Sequence, residues 1–505
     1  MQAHRTSQRR RRQVVRPRRT PQQPGCLPLA GDDRPVFRTR RVRLEIEKRG
    51  KVTAYGGLAL AHKLVNGLDL PRDIDREMEL LKFHLPYHES DHVLTHVYNL
   101  FTGGTCIEDI ANLQDSEAFK NLVGACRVPD PTTAGDFLRR FGSHELGVVD
   151  TVLDETRAKV WKALPRGRRC RITVDLDSTI KPVYGECKQG ADFSYTGKWS
   201  YHPLLISTAE TNECLRLINR PGNASSAEGV EDALDPCLER LTGIFDRVFV
   251  RGDSAFYRTE LIKLCEAHGA DFAFVMRSCP ALEQAVRALP EARFRPFAPR
   301  LDQACSRRLK QHRRKRQRIR RLKARQRGYR TLSTQAEWVA EMRYRPSGLD
   351  RSYRVLVKRQ LIEERNGQAA LLERYQYHFV ITSIQDLPAA DLVRFAYARC
   401  NQENTIEQLK HGLAALRMPT GELLANAAFM LAALIAWNLK AWLSLLALPA
   451  ESLRWEWKRF RHAFVYVASK IVTRARTSVA QLASSHRFTP QLLTASQRLD
   501  ALVFR

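Results

Sequence analysis

The most restrictive stretch of this chain is Ile172-Thr173-Val174-Asp175-Leu176-Asp177, where apolar and polar residues alternate strictly. A period of two belongs to a strand with one face buried. It sets Ile172, Val174 and Leu176 on one side and Thr173, Asp175 and Asp177 on the other. Two carboxylates on one strand face are costly to bury without a cation or hydrogen-bond donors. The following residues predict strands over Tyr201 to Ser207 and Cys214 to Ile218, then a helix over Val230 to Leu241. A strand over Arg247 to Arg251, a helix over Thr259 to His268 and a strand over Asp271 to Met276 come next. Three strands, then helix, strand, helix, strand, suit an α/β protein with a mixed sheet flanked by helices.

The flanks read differently. Residues 1–45 form a basic arm, and 46–165 a helical region with polar breaks at Leu85-Pro86, Gly103-Gly104 and Pro129 to Pro131. Thr133 with Asp136 fits a capping box at the start of one of these helices. His88, His92 and His96 recur at i, i+4 and i+8, a spacing that can present metal ligands on one helix face. No acidic or Cys partner completes such a site, so they read as ordinary polar-face histidines. Residues 166–278 hold the first part of the sheet, 279–376 a basic, β-rich interruption, 377–450 its second part and 451–505 a helical end. Tyr353 to Lys358 is β-like, and Tyr377 to Ile384 is either a strand returning to the sheet or the last of the insertion. Two long helices, Pro388 to Leu416 and Gly421 to Leu446, close the domain. The second belongs to the most apolar segment, yet Asn426, Asn438 and Lys440 mark it as a core helix rather than a membrane span.

Charge narrows the function. Across 505 residues, 83 Lys and Arg face 54 Asp and Glu, a net +29. A folded body with that surplus repels itself unless it meets a polyanion, and nucleic acid is the usual one. The surplus concentrates in Arg9 to Arg12, in Arg16, Arg18 and Arg19, and in Arg307 to Arg330, which contains no acid. That last run, with Arg313, Arg314, Lys315 and Arg316 at its centre, suits a surface that tracks phosphates. The eleven cysteines show no Cys-x-x-Cys pair. This argues against a zinc module or a secreted disulfide framework and for reduced, mostly buried thiols. No apolar segment follows the N-terminal arginines, so no signal peptide is expected and the protein reads as soluble and cytoplasmic.

Three sets of acids remain. Asp177, before Ser178-Thr179, either belongs to a site or merely begins a turn. In Val248-Phe249-Val250-Arg251-Gly252-Asp253-Ser254 an apolar strand runs straight into Asp253, at the strand end where α/β sheets build ligand sites. The plain alternative is an N-cap for the next helix. On a continuous helix of about 100° per residue, Arg399, Glu403 and Lys410 fall within roughly 40° of one another, with Glu407 about 80° round from Arg399. A helix laid across the sheet would bring Glu403 toward the aspartates. Phosphodiester transfer uses such a set: two divalent ions about 4 Å apart serve the attacking and leaving oxygens, and carboxylates are the hard ligands that hold them.

These blocks, in order, resemble the DDE transposases of bacterial insertion sequences over roughly Gly56 to Leu446. Val174 to Thr179, with Tyr184-Gly185 after it, resembles the first-aspartate block. Tyr201 to Leu205 and Arg220 to Asn223 resemble the strands that follow, and Arg251 to Phe256 the second-aspartate block. Arg399, Glu403 and Lys410 stand at the spacing of the Tyr-Arg-Glu-Lys signature. Ala396 occupies the Tyr position, and Tyr397 lies one residue nearer the Arg. His88 to Asp91 and Thr132 to Phe141 are also similar to this group's N-terminal region. The resemblance implies an RNase-H-like core with a β-rich insertion before the glutamate helix and a helical N-terminal region that binds DNA ends. It also implies cut-and-paste transposition dependent on two Mg²⁺ or Mn²⁺ ions, by a homodimer holding two terminal inverted repeats and capturing target DNA. Asp177, Asp253 and Glu403 are then the catalytic metal ligands, with Asp175 and Glu407 as fallbacks. Arg399, Lys410 and the run around Arg313 would contact DNA, and the protein would be nucleoid-associated. The rivals are a transposase-derived protein that binds DNA without cutting it, and a nuclease on the same fold.

Overall fold

The computed structural model describes residues 51–504 apart from 85, 298–330, 366–373 and 475–476. The basic arm and the run Arg307 to Arg330, with Arg313, Arg314, Lys315 and Arg316, therefore lie outside the described residues. The alternating stretch forms strand β1 (Ile172–Ser178). With β2 (Leu204–Thr208), β3 (Cys214–Ile218), β4 (Val248–Gly252), β5 (Asp271–Met276), β6 (Arg295–Pro296), β7 (Thr331–Tyr344), β8 (Tyr353–Arg365) and β9 (Arg374–Thr382) it makes one sheet. Its nine strands run in the order β6-β7-β8-β9-β5-β4-β1-β2-β3. β2 runs antiparallel to its neighbours β1 and β3, whereas β4 lies parallel to both β1 and β5.

The helices used below are α1 (Leu70–Glu77), α2 (Glu89–Thr102), α3 (Pro131–Arg139), α4 (Ser143–Ala163), α5 (Val230–Thr242), α6 (Thr259–Ala267), α7 (Ala389–Tyr397), α8 (Cys400–Glu407) and α9 (Leu423–Leu446). Ile172, Val174 and Leu176 are fully buried in a core with Leu234 and Leu238 of α5 and Leu261 and Ile262 of α6. On the opposite face Phe249, Ala273, Leu356 and Val380 pack against Leu392, Val393 and Ala396 of α7. The sheet is thus covered on both sides, as a sheet with parallel central strands requires.

α9 is apolar enough to cross a membrane by length and composition, but 89% of its most apolar window is buried inside the protein. Asn438 explains why a polar residue sits there. Its side chain accepts from Cys214 N and donates to Cys214 O, both at 2.9 Å, and so closes the outer edge of β3. Arg157 of α4 adds bonds to the carbonyls of Cys214 and Leu215. The start of this sheet edge is thereby occupied by side chains.

Several local expectations are corrected. β2 begins only at Leu204, because Pro203 has no N–H to give a ladder. Trp199–Tyr201 joins a small separate sheet with Lys181–Pro182 and Asp192–Phe193. The cap of α3 is Asp130, which accepts from Thr132 N and Thr133 N, with Pro131 preset at the first position. His92 and His96 are core residues rather than a polar face: His92 stacks on Phe137 at 4.4 Å, and His96 Nε2 lies 3.1 Å from Ala134 O. Among the eight cysteines whose side chains are described only Cys214, Cys237 and Cys265 are buried, and all eight are free thiols. The segment Tyr377 to Ile384 satisfies both readings, since β9 pairs with β5 on one side and with β8 on the other.

Candidate carboxylate site

β1 presents Asp175 and Asp177 on one face, and their fates diverge. Parallel register sets Asp175 beside Arg251 of β4. The guanidinium grips it bidentately, Nε to Oδ1 at 2.6 Å and Nη2 to Oδ2 at 2.8 Å, while Nη1 donates to Phe395 O at 2.7 Å. Both oxygens of this buried acid are used, so Asp175 is a structural ion pair.

Asp177 has no such partner. Its Oδ1 accepts only from the adjacent Ser178 N, and Arg399 Nη2 stands 3.5 Å from Oδ2. Burial pushes its pKa up to about 6. Arg399 and the Ser178 N–H pull the other way, and the charges of Asp253 and Glu403 push it further up. The structure therefore brings Asp177, Asp253 and Glu403 into one electrostatic neighbourhood.

Asp253 follows the last residue of β4. Its Oδ1 accepts from Ala255 N at 2.9 Å, making a turn, and α6 does not start until Thr259. The N-cap alternative therefore fails. Gly252 is required before it: an added Cβ would meet Phe256 Cβ at 2.7 Å and Phe274 Cδ1 at 3.2 Å.

The predicted single helix from Pro388 to Leu416 is broken. α7 ends at Tyr397, Arg399 caps α8, and Gln408–Gly412 forms a wide π turn. Anchors on β1 set the new course. Arg399 Nη2 donates to Leu176 O at 2.7 Å, and Gln402 Nε2 donates to Asp175 O at 2.8 Å. Glu403 follows these anchors and is exposed. Glu407 is exposed and faces His411. Lys410, in the π turn, reaches Thr179 Oγ1 just past β1. Burial lowers its pKa, with Lys181 and Lys198 adding to that, while Glu407 and Asp177 oppose. Arg251, Gln402, Lys181 and Lys198 were not singled out as site residues. Arg251 was visible inside the Arg-Gly-Asp block, but its pairing depends on strand register.

The three carboxylates are neighbours rather than a tight knot. Among the described residues, donor atoms of three ligand-type side chains come within 4.8 Å of one another only at His84, His88 and Glu89.

Acids gathered at the carboxyl ends of adjacent parallel strands mark the ligand site of an α/β enzyme. Over residues 35–504 the chain matches the family described as transposase DDE domain group 1, and it belongs to that family. Its function is accordingly that of a transposase, with DNA as its partner. No curated protein matches the chain.

Proposed function

We propose that this chain cuts DNA at the ends of its own insertion sequence and joins those ends to target DNA, using Asp177, Asp253 and Glu403 on an RNase-H-like core. One observation carries the reading: the gathering of these acids from two strand ends and a helix, with Asp177 short of compensating charge. The order β3-β2-β1-β4-β5, with three antiparallel strands and then two parallel ones, supports the assignment of the core.

The residues fit a pair of Mg²⁺ or Mn²⁺ ions. The donors are carboxylates, the ligands such hard cations prefer. A carboxylate held up to about 6 by burial and like charges gains from a nearby cation. When bound, such ions neutralise charge on the attacking and leaving oxygens. The chain's own residues do the positioning. Arg399 holds the end of β1 and leaves its charge beside Asp177. Lys410 braces Thr179 and offers an ammonium to a phosphate beside the acids. Arg251 keeps Asp175 out of the chemistry.

In this reading the helices before β1 engage the terminal inverted repeats, the run around Arg313, Arg314, Lys315 and Arg316 clamps phosphates, and a homodimer holds two ends. The protein works in the cytoplasm, at the nucleoid. The test uses DNA carrying the element's terminal repeats in Mg²⁺. Asp253→Asn is expected to abolish strand cleavage while end binding persists; cleavage at the native rate would refute the assignment. Joined products from the native chain separate a transposase from a nuclease, and binding without any nicking would identify a non-catalytic relative.

A further inference from the structure

We propose that His84, His88 and Glu89 form a second metal site, for one Zn²⁺-class cation, at the junction of α1 and α2 and outside the carboxylate cluster. Each residue contributes a ligand atom, and the three lie within 4.8 Å of one another. His84 Nδ1 and Glu89 Oε2 are 3.2 Å apart. Two ligands on a tetrahedral ion with bonds of about 2.1 Å stand about 3.4 Å apart, so this pair needs almost no adjustment.

Glu89 supplies the independent observation. It is fully buried at the first position of α2, and its Oε1 accepts from Leu80 N at 3.1 Å and Leu81 N at 2.9 Å. Its carboxylate is thereby fixed from the protein side. Oε2 is buried and receives no hydrogen bond of good geometry, only the ion-pair contact of His84 Nδ1 at 3.2 Å. A buried carboxylate oxygen with a single poorly aligned imidazole beside it is under-compensated, and a shared cation is the natural remedy. The two histidines whose ring nitrogens come within 4.8 Å of the Glu89 carboxylate are both exposed. Their rings stack at 5.2 Å with planes 28° apart, so the two imidazoles stand side by side.

The donor set decides the ion. Two imidazoles and one carboxylate suit Zn²⁺ and similar borderline metals, whereas Mg²⁺ prefers oxygen alone. Three protein ligands leave a fourth position to water. Such an ion would cross-link the segment after α1 to the first turn of α2, tying two helices of the N-terminal region together.

The test is titration of the full-length chain with Zn²⁺ by calorimetry, and with Co²⁺ by visible absorption. One equivalent beyond any taken by the carboxylate cluster is expected, with the intense bands of low-coordinate Co²⁺. His84→Ala and His88→Ala should each weaken binding at least tenfold, while Asp253→Asn should keep this equivalent. Both histidines are exposed, so these variants should fold; far-UV circular dichroism checks that. Unchanged affinity in the His84→Ala/His88→Ala double variant would overturn the site. So would loss of the equivalent in Asp253→Asn alone, or the absence of binding at millimolar Zn²⁺.

Discussion

Two acids removed from bulk water, the buried Asp154 and the half-buried Asp177, sit in opposite charge balances. Asp154 of α4 is surrounded by cations: Arg157 Nη1 at 2.5 Å, Arg216 Nη1 at 2.8 Å and Nη2 at 2.5 Å, and Arg240 Nε at 3.7 Å. Burial alone would raise its pKa, but Arg216 and Arg157 outweigh that and hold it below the ordinary value. Asp177 has one guanidinium at 3.5 Å and two acids nearby, and its pKa rises to about 6. The first region is closed, its charges answered within the chain. The second is open, and its deficit is what a cation from outside would fill. In the proposed reading, it is this shortage of partners that sets Asp177 apart from Asp154.

The contrast can be broken experimentally. The largest effect is expected from Asp177→Asn, which should lower DNA strand cleavage by on the order of a thousandfold, about 4 kcal/mol of barrier. A gel assay of nicked ends measures it, and near-native cleavage would remove Asp177 from the site. Asp154→Asn is the mirror experiment. It strands buried arginines and should cost about 3–5 kcal/mol of stability in denaturant unfolding. A loss under 1 kcal/mol would show that the network is dispensable.

The third test exploits the opposite signs. Asp177 holds protons more tightly folded than unfolded, so its contribution to stability falls as pH rises from about 4 to about 6, and the penalty is complete above that. In metal-free buffer at pH 7.5, Asp177→Asn should therefore stabilise the chain by on the order of 2 kcal/mol, and the gain should vanish near pH 3.5. Asp154 behaves inversely, stabilising above the ordinary carboxylate range and ceasing to do so as pH falls through its depressed value. A destabilising Asp177→Asn would mean that its charge is already balanced. Cleavage by the native chain should likewise decline as pH falls, because a proton on Asp177 competes with the cation, and more divalent ion should move the decline to lower pH.

The smallest effect concerns the surplus of positive charge. Neutralising Arg313, Arg314, Lys315 and Arg316 should reduce the slope of log K against log salt by up to about 3 to 4, if each meets a phosphate. An unaltered slope would mean that the run is merely solvated.

Much of this was legible in the sequence where local pattern and tertiary outcome agree. β1, β4 and β5 are read directly, because alternation or an apolar run ending on Asp has one comfortable conformation. The choice between Asp175 and Asp177 was not legible. It depends on Arg251, which meets Asp175 only through the parallel register of β1 and β4. The break at Ala398-Arg399 was hidden for a similar reason. Nothing local forbids a continuous helix there, and it is Arg399 and Gln402, bonded to the backbone of β1, that redirect it. The inward turn of His92 and His96 depends on Phe137 and Ala134, which arrive from α3.

The pairing of β9 with β5 has a mechanical consequence. Phe379 to Thr382 are laddered to Met276 to Ala273, and β5 is laddered to β4, whose end carries Asp253. The strands inserted between β5 and α7 are thus no appendage on a loose tether but an added width of one stiff board. A load applied to β7, β8 or β9 travels through consecutive ladders to the acids. Yielding there would need a slip of register, which turns every side chain of a strand to the wrong face.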